Sequence, residues 1–134
     1  MVRNAPILVV DDNQASARLA QVMLRRRGLS AMVAIHGQQA LRLAGKCPPR
    51  AVLMDFEMPR WRGPSVLSML RQRPGFESLV VVAYTASLGI DKRAAQSMGF
   101  DGLICKPVNE RDFHAEFDRL NLMSRSPAYW LVGS

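Results

Sequence analysis

Five short apolar runs alternate with longer segments in which apolar residues recur at helical spacing, and this alternation leaves few folds open to the chain. The runs are rich in β-branched residues, as is typical of strands covered on both faces. They predict strands at about 6–11, 31–35, 51–55, 79–84 and 102–105. The segments between them predict helices at about 14–27, 37–46, 64–73, 89–98 and 109–123. Alternation with short connections predicts an α/β fold, in which helices cover both faces of a parallel sheet.

Polar residues whose side chains can bind ligands or take part in reactions follow four of these strands. Asp11 and Asp12 follow the first run, Asp55 ends the third, Thr85 follows the fourth and Lys106 follows the fifth. In an open α/β sheet, ligands bind outside the carboxyl ends of the strands. We therefore expect three carboxylates, a hydroxyl and an amine to converge on one small surface.

This set of side chains suits a divalent cation and a phosphoryl group. Asp12 and Asp55 are candidate Mg²⁺ ligands with Asp11 in support, because Mg²⁺ is usually held by one or two carboxylates, phosphate oxygens and water. An aspartate can also be a nucleophile that forms an acyl phosphate. Lys106 would neutralise phosphoryl charge, and Thr85 would donate a hydrogen bond to a phosphoryl oxygen. Any one of these residues, taken alone, is explained equally well as an ordinary solvent-exposed polar residue at the beginning of a loop.

Length and composition are those of one soluble domain. The chain has 134 residues, of which 49% are hydrophobic and 22% charged. No apolar run approaches the roughly 18 residues of a membrane span. Cys47 and Cys105 provide neither a disulfide framework nor metal-ligand spacing, and we therefore predict a cytoplasmic protein.

The formal net charge of +7 invites a nucleic-acid interpretation, but the pattern of charge argues against it. The basic residues are scattered, and Arg25–Arg27 closes a predicted helix, where cations favour the helix dipole. No aromatic residues interleave with this arginine triplet, as single-strand binding would require. An acidic protein partner is the better expectation.

The chain resembles the receiver domain of two-component response regulators over about residues 6–122. The resembling segments are Ile7–Asn13, Leu53–Pro59, Gly63, Tyr84–Ala86 and Lys106–Pro107. The resemblance implies a flavodoxin-like, doubly wound fold with five parallel strands in the order 2-1-3-4-5 and five helices. It places the receiver domain at 1–123 and a C-terminal tail, or the start of a linker, at 124–134.

The resemblance also implies site roles. Asp55 would accept a phosphoryl group from a phosphohistidine. Asp12 and Asp55 would ligate Mg²⁺ through their side chains, Glu57 through its backbone carbonyl, and Asp11 directly or through water. The partners would be a histidine kinase or a histidine phosphotransfer protein, and a downstream protein target.

The resemblance also implies a conformational switch that responds to phosphorylation. Thr85 would be the switch hydroxyl, Lys106 would bind the phosphate, and the backbone amide of Ala86 would contact a phosphoryl oxygen. The chain would be a phosphoryl acceptor rather than an enzyme, with at most slow self-dephosphorylation. It would be a stand-alone receiver or part of a hybrid histidine kinase.

Two residues depart from the family pattern and leave alternatives open. Leu103 stands where the family usually has Tyr or Phe, and Arg62 stands where an acidic or small polar residue is frequent. The loss of the aromatic ring supports a second hypothesis, a constitutive protein-interaction module that keeps the site without the switch. A nucleotide- or flavin-binding protein is disfavoured, because 11–14 is Asp-Asp-Asn-Gln rather than a glycine-rich loop.

Overall fold

The computed structural model describes residues 5–58, 62–86 and 89–122. Its strands form one parallel sheet in the order β2-β1-β3-β4-β5. The strands are β1 (Ile7–Val10), β2 (Ala31–Ala34), β3 (Ala51–Asp55), β4 (Val80–Thr85) and β5 (Gly102–Cys105). The helices are α1 (Gln14–Arg26), α2 (Gly37–Lys46), α3 (Gly63–Arg71), α4 (Lys92–Ser97) and α5 (Glu110–Arg119). The predicted flavodoxin-like α/β fold is confirmed. The predicted tail at 124–134 lies outside the described residues.

Two apolar layers cover the two faces of the sheet. Because neighbouring strand residues point to opposite faces, Leu8 packs on one side with Leu67 of α3, and Ile7 packs on the other with Phe117 of α5. All four side chains are buried. The strands are therefore covered on both faces, and their carboxyl ends lie together at one edge of the sheet.

Two helices, α4 and α5, are shorter than the sequence predicts by several residues, whereas α1 and α3 differ from their predicted bounds by one or two residues. The helix predicted from 89 begins at Lys92, because the Asp91 side chain accepts a hydrogen bond from Ala94 N at 2.8 Å and caps the helix. The helix predicted to reach 123 ends at Arg119, and Asn121 has a positive φ of 60°. Both corrections concern ends, where hydrogen bonds to the backbone outweigh apolar periodicity.

Arg71, at the end of α3, ties together the segments that lead into β4 and β5. Its guanidinium donates to Leu79 O at 2.5 Å, to Gly99 O at 2.8 Å and to Asp101 Oδ2 at 3.1 Å. The same Asp101 oxygen accepts from Val81 N at 2.8 Å. This network lies at the end of the sheet opposite the strand carboxyl ends. Among the described residues, no helix is long and apolar enough to cross a bilayer.

Candidate functional site

Three aspartates meet at the carboxyl ends of β1 and β3. One carboxylate oxygen from each of Asp11, Asp12 and Asp55 lies within 4.8 Å of the others. Asp11 follows β1 and Asp55 ends β3, and these two strands are hydrogen-bonded neighbours in the sheet. Asp11 and Asp55 are buried, whereas Asp12 is exposed. The cluster thus has a buried floor and an open side.

Backbone amides orient the two buried carboxylates. Asp11 Oδ1 accepts a hydrogen bond from Asn13 N at 2.9 Å, and Asp55 Oδ1 accepts from Glu57 N at 3.1 Å. Asn13 also caps α1, because its side chain accepts from Ser16 N. The turn after β1 therefore holds Asp11 in place. Asn13 is a supporting residue that the sequence analysis did not single out, although Asn before a helical segment is a recognisable capping signal.

The amine of Lys106 lies against both buried carboxylates. Its Nζ is 2.9 Å from Asp11 Oδ2 and 3.4 Å from Asp55 Oδ2. It also lies 4.8 Å from the centroid of the Tyr84 ring, a cation–π distance. The Lys106 backbone N–H donates to Thr85 O at 2.8 Å and so joins the ends of β4 and β5. Tyr84 was predicted only as a strand residue, since nothing local in the sequence shows which side chain its ring will face.

Asp11 Oδ2 is buried and accepts no hydrogen bond from the described residues. Its ion-pair partner is the Lys106 ammonium, whose Nζ lies 2.9 Å away. Buried carboxylate oxygens are normally hydrogen-bonded or bound to a cation. An orphaned oxygen beside two further carboxylates fits a hard divalent cation such as Mg²⁺.

Burial and a neighbouring carboxylate disfavour ionisation of Asp55. Burial raises the pKa of Asp55 to about 6, and the charge of Asp11 acts in the same direction, while the Glu57 N–H and Lys106 oppose them. Burial also raises the pKa of Tyr84 to about 12, with Asp11 and Asp55 adding to the effect. A cation placed among the three carboxylates would relieve this strain.

The remaining predicted residues lie around the cluster. Thr85 ends β4 and is buried, and Ala86 follows it and is exposed. The Glu57 side chain is 57% exposed and lies 3.9 Å from the guanidinium of Arg62. Arg62 also lies 5.3 Å from the Phe56 ring centroid. Arg62 thus contacts the segment that directly follows Asp55 in the chain.

Comparison with known proteins decides the family. A family model described as the response regulator receiver domain matches residues 7–118. The chain belongs to this family. The receiver domain is 26% identical over 107 residues to Protein PilG of Pseudomonas aeruginosa, an alignment that covers 79% of each chain. It is therefore a receiver domain of two-component signalling.

Solved structures agree with the receiver assignment. The chemotaxis response regulator CheY4 of Vibrio cholerae superimposes with a TM-score of 0.78 at 22% identity, covering 87% of this chain and 98% of that one, which shows the common fold. The receiver domain of sensor histidine kinase PA1611 from Pseudomonas aeruginosa is 26% identical, with a TM-score of 0.74. The match covers 84% of this chain and 93% of that domain, which has a magnesium ion coordinated in its active site cleft.

Proposed function

We propose that Asp55 is the phosphoacceptor of this receiver domain and that its donor is a phosphohistidine on a histidine kinase or a phosphotransfer protein. The observation that carries the proposal is the cluster itself. Three carboxylates lie within 4.8 Å of one another, and the amine of Lys106 contacts the buried pair of Asp11 and Asp55. Asp55 ends a central strand and, with 5% of its surface exposed, is less deeply buried than Asp11 at 0%.

The proposed transfer forms one bond and breaks one. A carboxylate oxygen of Asp55 bonds to phosphorus while the phosphorus–nitrogen bond of the phosphohistidine breaks. The imidazole leaves with the electron pair of that bond, and the product is an acyl phosphate on Asp55. Lys106 is placed to neutralise the charge that arrives with the phosphoryl group, since its Nζ already lies 3.4 Å from Asp55 Oδ2.

Asp11, Asp12 and Asp55 are the side chains that would hold Mg²⁺, with the backbone carbonyl of Glu57 as a further ligand. The fit is supported by the orphaned oxygen of Asp11 and by the all-oxygen donor set. When bound, the ion neutralises negative charge shared by the carboxylates and the phosphoryl oxygens. The exposed Glu57 side chain is not needed for this role.

The output of the proposed reaction is a change in protein–protein affinity. A phosphoryl group adds about −1.5 to −2 charges. The Thr85 hydroxyl and the Ala86 amide, at the end of β4, are the hydrogen-bond donors that would move toward the phosphoryl group. The resulting shift would alter the docking of a downstream protein, in a cytoplasmic stand-alone receiver or in the receiver segment of a hybrid histidine kinase. The domain would act as an acceptor rather than as an enzyme.

Intact-mass spectrometry tests the assignment. The protein is incubated with Mg²⁺ and acetyl phosphate, or with a phosphorylated histidine kinase, and we expect one added phosphoryl group. Asp55→Asn should remove the label. Asp112→Asn is the matched control, because Asp112 is an exposed aspartate on α5. Label that persists in Asp55→Asn would show that another residue is the acceptor.

Leu103 supports a second candidate, a constitutive interaction module. The side chain is half-buried and packs against the apolar layer that contains Leu67, so it has no polar tip to move between environments. A constitutive module would bind its partner equally well with and without Mg²⁺ and acetyl phosphate. A change of affinity on phosphorylation would exclude it.

A further inference from the structure

Glu116 is a buried carboxylate that lies outside the aspartate cluster and faces the edge of the sheet. Its side chain is 8% exposed. Because β5 is an edge strand, alternate N–H groups point away from β4, and the Leu103 N–H donates to Glu116 Oε2 at 2.9 Å. A Cβ atom at Gly102 would collide with this oxygen. Glycine at that position therefore lets the carboxylate reach the strand.

Two cations complete the surroundings of Glu116. Lys92 Nζ lies 3.0 Å from Oε1, and Arg119 donates to Oε1 at 3.1 Å and to Oε2 at 3.0 Å. Burial opposes ionisation, but the hydrogen bonds from Arg119, Leu103 N and Lys92 outweigh it and hold the pKa of Glu116 below its ordinary value. One ionised carboxylate thus joins α4, β5 and α5.

Of these three elements, α4 is the one held most weakly. All six of its residues are described, and Ala95 alone is buried. By contrast, α5 buries Phe113 and Phe117 along with Glu116. Segments with few buried apolar contacts shift at low cost in free energy. Lys92 is the first residue of α4. The ion pair therefore holds the N-terminal end of α4, which is the end nearer to Thr85 in the chain.

We propose that the Lys92–Glu116 ion pair is a latch that holds α4 in its unphosphorylated position and opens when Thr85 follows the phosphoryl group on Asp55. The inference rests on the proposed function. Leu103 lacks the aromatic ring usual in the family, and the latch supplies a polar link from α4 to the backbone of the same residue. Opening releases the Lys92 ammonium from Glu116, so the charge pattern of the face formed by α4, β5 and α5 changes. Because coupling between two sites is reciprocal, a closed latch also opposes phosphorylation.

A matched pair of variants on α4 tests the latch. Lys92→Gln removes the ion pair, and Arg93→Gln removes the same charge from a neighbouring exposed residue that has no ion pair among the described residues. The rate of labelling by acetyl phosphate with Mg²⁺ is followed by intact mass. We expect Lys92→Gln to be labelled about two- to fivefold faster than wild type, as one partly exposed ion pair warrants. Arg93→Gln should match wild type.

A double-variant cycle separates the latch from a merely structural role of Glu116. If the pair acts as one unit, Lys92→Gln should add nothing to the rate of Glu116→Gln. The amide resonance of Leu103, which reports its hydrogen bond to Glu116, should shift when wild type is phosphorylated. Lys92→Gln leaves Glu116 bonded to Arg119 and Leu103 N, so its folding should be secure.

The outcomes separate the latch from the phosphoacceptor assignment. If wild type is labelled and Lys92→Gln and Arg93→Gln are labelled at equal rates, the latch is wrong but the phosphoacceptor assignment stands. Additive effects of Lys92→Gln and Glu116→Gln, or an unmoved Leu103 amide, would lead to the same conclusion. Wild type that takes no label at Asp55 would overturn both the proposed function and the latch.

Discussion

Lys106 Nζ lies 2.9 Å from Asp11 Oδ2 and is the ion-pair partner of this buried oxygen. The same ammonium lies 3.4 Å from Asp55 Oδ2. Lys106 therefore places a positive charge beside both buried carboxylates. In the unphosphorylated site Lys106 balances the charge of the carboxylates, and after phosphorylation it would bind the phosphoryl group. These two roles lead to predictions that can be measured.

Replacing Lys106 should destabilise the metal-free protein. Lys106→Gln leaves Asp11 and Asp55 buried without the facing ammonium, and we expect a loss of about 1–3 kcal/mol in the free energy of unfolding. Added Mg²⁺ should recover more stability in this variant than in wild type, because it replaces the missing charge. Urea denaturation with and without MgCl₂ measures both effects. Lys46→Gln, at an exposed lysine on α2, is the control and should change stability by less than about 0.5 kcal/mol.

Asp12 and Glu57 should differ in their effect on Mg²⁺ binding. Asp12→Ala removes a side-chain ligand and should weaken binding about tenfold or more. Glu57→Ala should leave affinity nearly unchanged, since the Glu57 side chain is exposed and only its backbone carbonyl is assigned to the ion. Calorimetric titration with MgCl₂ distinguishes the two. Equal weakening by both variants would contradict the proposed ligand set.

Stability of the metal-free protein should fall as pH rises from about 4 to about 6. The pKa of Asp55 is raised from 3.8 to about 6, so the folded state binds more protons than the unfolded state in this window. Stability therefore decreases with pH, by an amount on the order of 1–3 kcal/mol. Asp55→Asn should lack this decrease and be the more stable protein above pH 6, whereas Asp112→Asn should keep it. Denaturation midpoints across this pH range in chelator-treated buffer provide the measurement.

Arg71→Ala should lower stability without changing the labelling chemistry. The variant removes donors from Leu79 O and Gly99 O and leaves Asp101 without its ion pair, at a cost of about 1–3 kcal/mol. The network lies at the far end of the sheet from Asp55, so labelling by acetyl phosphate at a temperature where the variant is folded should match wild type. Arg93→Ala, at an exposed arginine, is the control for loss of charge.

The sequence by itself determined the elements and the class of site. Apolar periodicity and strand ends are local properties, and the predicted bounds of β3, β5 and α2 agree with the structure residue for residue. The same local pattern indicated that polar residues after different strands would share one edge of a parallel sheet. Helix ends were less predictable, as α4 shows, because the capping bond of Asp91 and not periodicity sets where the helix begins.

Only the tertiary structure decided which side chains meet. Asp11 reaches Asp55 because β1 and β3 are adjacent in the sheet, and Lys106 contacts both by crossing over the end of β4. Glu116 finds the Leu103 N–H only because α5 packs on the edge strand. These contacts join residues far apart in the chain, so their distances depend on strand order and packing of the whole domain. Local sequence patterns show the residue types and the spacing of apolar residues, but they do not determine the distances between side chains on different elements.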